Sequence, residues 1–112
     1  MDERVKQLLI DHEGMRLIVY MCPSGRLTVG VGRNLENKGI TRDEALLLLE
    51  NDVQECVADL RRLFENWDYF TPARQAALID MRFNLGPVGL RGFRNMIAAA
   101  ERQDWATAAL EA

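Results

Sequence analysis

Glu13, Cys22 and Thr28 are the residues whose types and spacing could do chemistry together. Cleaving a glycosidic bond takes an acid that protonates the leaving oxygen and a second group that attacks the anomeric carbon or activates a water to do so. Glu13 can be the acid. From Gly14 to Asn34 there is no second carboxylate, and the turn offers Cys22 instead, with Thr28 beyond it able to hold a water through its hydroxyl. As thiolate, a cysteine is a base or nucleophile; as thiol it does little beyond weak hydrogen bonding. Residue types alone leave two readings open: a catalytic trio, or an acid that ends a helix near an idle cysteine.

These three residues must be positioned by local elements. Val5, Leu8, Leu9 and His12 follow the i, i+3, i+4, i+7 spacing of one helix face, and Gly14 closes that helix because glycine takes the left-handed conformation readily. Glu13 then sits at the helix C-terminus, where the macrodipole disfavours a carboxylate's charge, which suits a proton donor. Leu17 to Tyr20 and Leu27 to Val31 are β-rich runs around the turn chemistry of Cys22-Pro-Ser-Gly25, so a hairpin is expected. Gly30 and Gly32 flank Val31 and mark either a bulge or a place where something approaches the backbone closely.

Beyond a polar loop at 34–39, Thr41-Arg-Asp-Glu44 is a capping box. It opens a long helix whose stripe includes Ala45, Leu48, Leu49, Asp52, Val53, Cys56, Val57, Leu60, Leu63 and Phe64. Trp67, Tyr69 and Phe70 are expected in the core. Thr71-Pro72 starts a helix over 73–83, Asn84 to Gly89 breaks it, Leu90, Phe93, Met96 and Ile97 mark a short helix, and Asp104 caps a last one beginning at Trp105. The 112 residues fit one domain, or two small lobes sharing a core. With 48% hydrophobic and 28% charged residues the composition is globular. A net charge of -3 argues against broad affinity for nucleic acid. The longest apolar run, Leu46 to Leu49, is far too short to span a membrane, and no signal-peptide core precedes Asp11. Cys22 and Cys56 are expected as free thiols.

The spacing Glu13, eight residues, Cys22, five residues, Thr28 resembles the Glu, Asp or Cys, Thr triad of the phage-type lysozymes, the glycoside hydrolase family of the T4 and P22 endolysins. Further landmarks follow in order: His12 to Leu17, Tyr20, Thr28 to Arg33, Ile40 to Ala45, Asn51 to Val53, Arg74 to Gly86, Gly92-Phe93 and Trp105. The resemblance implies an α+β, lysozyme-like fold. A hairpin lobe at about 12–40 would be joined by a linking helix at 41–65 to a helical lobe at 66–112, within a single domain 1–112 whose C-terminal part is shortened. It also implies hydrolysis of the β-1,4 bond between N-acetylmuramic acid and N-acetylglucosamine in peptidoglycan, with no cofactor or metal.

Carried over by position, Glu13 is the general acid, Cys22 stands where many members have aspartate, and Thr28 orients the water. Gly32 and Arg33 line the cleft floor, and Phe83 and Asn84 approach the sugar. Where many relatives pair a histidine with an acid, Arg33 is expected to pair with Asp52. The partners implied are peptidoglycan strands, with no nucleic acid and no membrane span, and a holin that releases a prophage-type endolysin from the host cytoplasm. If further helices normally cover them, Leu63, Phe64, Met96 and Ile97 would be exposed here and the chain would self-associate. Two rivals are a lytic transglycosylase, which forms an anhydro sugar, and a wall-binding module without catalysis.

Overall fold

The computed structural model describes residues 2–112. Helix α1 (Glu3–Glu13) starts where the Asp2 carboxylate accepts the Arg4 N–H, and it ends on Gly14 at φ 76°, whose N–H is donated to the Ile10 carbonyl. The glycine stop therefore falls where the sequence puts it. A three-stranded antiparallel sheet in the order β1-β2-β3 follows, built from β1 (Arg16–Met21), β2 (Leu27–Gly30) and β3 (Arg33–Asn34). Tyr20 lies opposite Thr28 and Met21 opposite Leu27, while Arg16 lies opposite Gly30, so the register shifts between Arg16 and Tyr20. On the other side of β2, Thr28 pairs with Asn34 and Val29 with Arg33.

Helix α2 (Arg42–Leu63) is opened by the expected capping box: Glu44 N–H donates to Thr41 Oγ1 at 3.2 Å, and Thr41 N–H to Glu44 Oε1 at 2.9 Å. At 1.5 Å per residue it runs roughly 33 Å. A 3₁₀ turn (Trp67–Tyr69) precedes α3 (Pro72–Arg91), α4 (Arg94–Glu101) and α5 (Trp105–Glu111). The expected break after residue 83 is concentrated at Gly86, whose φ of 75° is non-helical, immediately before Pro87. Leu90 belongs to the turn after that break rather than to α4.

The chain folds as two compact units, 1–45 and 46–112, so the first turn of α2 belongs to one and the rest to the other. Among the described residues of the first unit Thr28 alone is buried. The apolar core is in the second: Leu60, Phe64, Trp67, Phe70, Leu78, Leu90, Met96, Ala99, Ala100 and Ala108. Phe70 is its aromatic hub, edge-on to Phe64, Trp67 and Trp105 with centroids 5.4, 5.9 and 4.8 Å away. Tyr69 departs from expectation, exposed while its neighbours are buried, because a 3₁₀ turn of three residues sends adjacent side chains in different directions. Phe64 and Met96 are buried, and Leu63 and Ile97 pack against the core, which corrects the expectation that these four lie exposed. On α2 the stripe divides: Cys56 and Leu60 are buried, whereas Leu48 and Leu49 remain about half exposed.

Candidate active site

The acid comes from the last residue of α1 and its setting from the turn after β2. Glu13 is exposed, and its carboxylate lies against Gly32: a Cβ built on Gly32 would stand 3.3 Å from Glu13 Oε2. Gly32 has φ +71°, a conformation that side chains with a Cβ rarely adopt. Of the two sequence readings of the paired glycines, close approach is the one realised at Gly32, and what approaches is the acid. A 310 Å³ hollow lined by Lys6, Leu9, Ile10, Glu13 and Val31 adjoins the carboxylate; its walls are mostly apolar, a feature that sequence reasoning did not single out although Leu9 lies on the apolar face of α1.

Cys22 and Thr28 are placed by the hairpin register. Cys22 N–H donates to the Arg26 carbonyl at 2.9 Å, continuing the pairing of Tyr20 with Thr28, so Tyr20, Cys22, Arg26 and Thr28 belong to one face of the ladder. The Cys22 thiol is lowered to about 7, chiefly because the Ser24 hydroxyl stands 3.0 Å from Sγ, helped by the Arg26 N–H, with burial opposing. The thiolate is therefore more populated at neutral pH than in an ordinary cysteine. Ser24 was missed, although a hydroxyl two residues beyond a cysteine in a turn is a visible signal. Thr28 is 3% exposed and donates its hydroxyl hydrogen to the Arg26 carbonyl at 2.9 Å, so it has only lone pairs left to offer. The hairpin is tied further by Glu36, which accepts the Leu27 N–H at 3.0 Å and pairs with Arg26 at 3.6 Å.

Arg33 is held within the first unit: its Nη1 donates to Glu44 Oε1 at 2.8 Å and to the Gly39 carbonyl at 3.1 Å. The reason is local. The capping box already fixes the Glu44 carboxylate beside the loop that ends at Gly39, and the same oxygen serves both the Thr41 N–H and the guanidinium. Arg33 and the Thr41 N–H together hold Glu44 down to about 2, and Arg33 is raised in turn.

In the second unit, Asp52 and Phe83 line one 210 Å³ hollow with Glu55, Cys56, Arg82 and Pro87. Asn84 turns its amide back onto its own helix, donating to the Asp80 carbonyl at 2.9 Å and to Asp80 Oδ1 at 3.1 Å. Beneath this hollow is a charge cluster not foreseen from the sequence. The buried Asp59 accepts from Arg82 Nε at 2.7 Å and from both Nη atoms of Arg91, and Arg62 stands 3.5 Å away. Arg91, then Arg82, hold the Asp59 carboxyl well below the usual carboxylate range against the cost of burial. Both cysteines are free, and among the described residues no group of three or more His, Cys, Asp or Glu could hold a metal ion. No helix among the described residues is long and apolar enough to cross a membrane.

The family model described as phage lysozyme matches residues 10–112, which covers the acid, the hairpin and the second unit. The chain belongs to the phage lysozyme family. Among curated relatives, it is 26% identical to the pre-baseplate central spike protein Gp5 of Enterobacteria phage T4, over 88% of this chain and 22% of that protein. It is 24% identical to probable T4-type lysozyme 2 of Dictyostelium discoideum, over 96% of this chain and 80% of that one. The chain thus spans about a fifth of the spike protein and about four-fifths of the Dictyostelium protein. Its α+β architecture, a small antiparallel sheet with five helices, is that of a phage lysozyme.

Proposed function

We propose that the chain is a muramidase that hydrolyses the β-1,4 bond between N-acetylmuramic acid and N-acetylglucosamine. The observation that carries this reading is Glu13, an acid at a helix C-terminus whose carboxylate lies against Gly32, in a chain of the phage lysozyme family. Glu13 donates its proton to the glycosidic oxygen as the bond breaks. A water held by a hydrogen bond to the Thr28 lone pair attacks the anomeric carbon, and as it does so the Cys22 thiolate takes one of its protons as base while the other hydrogen stays on the oxygen that becomes the new hydroxyl. Arg33, locked to Glu44, holds Gly32 and with it the floor beneath the acid. Phe83 and Asn84 contact the sugar. In the cell the enzyme serves as a prophage-type endolysin, kept in the host cytoplasm until a holin admits it to the wall.

Purified peptidoglycan digested by the protein tests this. New reducing ends on muramic acid, with inversion at the anomeric carbon, are expected. Retention would make Cys22 a nucleophile with a covalent intermediate. A product rich in 1,6-anhydromuramic ends would replace the hydrolase by a transglycosylase, and binding without product would leave only a wall-binding module.

A further inference from the structure

One peptide group holds both Cys22 and Thr28. The carbonyl of Arg26 accepts the Cys22 N–H at 2.9 Å and the Thr28 hydroxyl hydrogen at 2.9 Å. The N–H of that same Arg26–Leu27 peptide is donated to Glu36 Oε1 at 3.0 Å. In a trans peptide the carbonyl and the N–H point in opposite directions, so Glu36 grips the group from the side away from Cys22 and Thr28. Hydrogen bonds joined through one peptide strengthen each other, and a carboxylate drawing on the N–H makes the carbonyl a better acceptor.

The backbone delivers Glu36 to this place. Leu35 N–H donates to the Leu27 carbonyl at 2.8 Å, which carries the β2–β3 pairing up to the residue before Glu36. The turn beyond is closed by Asn37 N–H to Asn34 Oδ1 at 3.1 Å, Lys38 N–H to the Asn34 carbonyl at 3.1 Å and Gly39 N–H to the Leu35 carbonyl at 3.0 Å. The second carboxylate oxygen of Glu36 stands 3.6 Å from Arg26 Nη1, so the side chain is held at both oxygens. Glu36 is exposed, and an exposed pair of this kind adds little to stability. Its effect is on geometry. With the only hydroxyl hydrogen of Thr28 committed to Arg26, the lone pairs are what Thr28 presents to a water.

We infer that Glu36 is a positioning residue for the attacking water: through the Arg26–Leu27 peptide it fixes the Thr28 hydroxyl as an acceptor and holds Thr28 and Cys22 in register on one carbonyl. The inference rests on the muramidase reading for the water's target, whereas the hydrogen-bond relay is measurable without it.

The test compares kcat and KM for release of reducing ends from purified peptidoglycan strands by the wild type, Glu36→Ala, Glu36→Gln, Thr28→Val and the double variant Glu36→Ala/Thr28→Val. Glu36→Ala should lower kcat at least about fivefold, with KM and melting point little changed. Glu36→Gln, whose amide oxygen still accepts the Leu27 N–H, should recover most of that loss. Once Thr28→Val has removed the hydroxyl, adding Glu36→Ala should cost less than about twofold more, because the two act through one group. Wild-type kcat in Glu36→Ala, equal losses in the alanine and glutamine variants, or an unchanged effect of Glu36→Ala in the Thr28→Val background would overturn the positioning role. Nuclear magnetic resonance of the labelled protein reads the relay apart from activity: the Leu27 and Cys22 amide protons should move upfield in Glu36→Ala, and that of Cys22 should return toward its wild-type position in Glu36→Gln. If the wild type releases no reducing ends, the muramidase reading fails and the amide protons decide alone, an unmoved Cys22 amide sinking the relay. Release of ends with kcat untouched by Glu36→Ala would sink the positioning role and leave the muramidase standing.

Discussion

Replacing Asp59 by asparagine should destabilise the second unit strongly. Asp59 is 4% exposed and lies within 4 Å of the guanidinium groups of Arg62, Arg82 and Arg91. Asparagine keeps the shape and one acceptor but removes the negative charge, leaving the buried Arg82 without a counter-ion. Breaking a buried pair by removing one partner costs about 3–5 kcal/mol. For a unit of this size, in which 1 kcal/mol shifts the melting point by about 4–8 °C, even the lower figure predicts a fall of roughly 15 °C. The pH dependence follows from the direction of the shift. Asp59 is held below its unfolded value near 3.9, so its stabilisation is complete above that pH and lost as pH falls toward the folded value. The gap between wild type and Asp59→Asn should therefore be constant from about pH 5 to pH 8 and close below about pH 4. Calorimetry at a series of pH values measures it. A loss under about 1 kcal/mol at pH 7, or a gap that widens in acid, would refute the assignment of Asp59 as the anchor of this cluster.

Three further outcomes follow from the first unit. Gly32→Ala combines a Cβ placed 3.3 Å from Glu13 Oε2 with a φ of +71°; a loss of about 1–2 kcal/mol is expected from the conformation, and kcat should fall about tenfold or more as the acid is displaced, with KM little changed. Iodoacetamide should modify Cys22 with a rate that rises through a midpoint near pH 7 and leave the buried Cys56 unmodified in the native state; Ser24→Ala should move that midpoint up, because it removes the first of the groups that lower the thiol. Glu44→Gln should speed amide hydrogen exchange at residues 34–41 by loosening Arg33.

What could be read from the sequence was the part whose causes are local. The stop at Gly14, the capping box from Thr41 to Glu44, the Asp104 cap and the hairpin between Leu17 and Val31 each depend on residues a few positions apart, and all are present. On the first unit the approach of Glu13 to Gly32 and the register that puts Cys22 and Thr28 on one face are likewise set within one short stretch, 13–32. What escaped depends on distant partners. Asp59 meets Arg82 and Arg91 across 23 and 32 residues, and nothing in the spacing of α2 distinguishes Asp59 from a solvated acid. The Arg33–Glu44 pair spans 11 residues and was not read from the sequence, although the capping box that orients Glu44 was. Tyr69 and Phe70 are alike in sequence and opposite in burial, because a single 3₁₀ turn rather than hydrophobicity decides which one enters the core.

The most direct measurement of the central claim is the release of reducing ends from purified peptidoglycan by the wild type and by Glu13→Gln at equal folded concentration. Release by the wild type with a fall of at least about a hundredfold in Glu13→Gln, the loss of general acid catalysis, is expected. Release by Glu13→Gln at the wild-type rate would contradict the assignment of Glu13 as the acid.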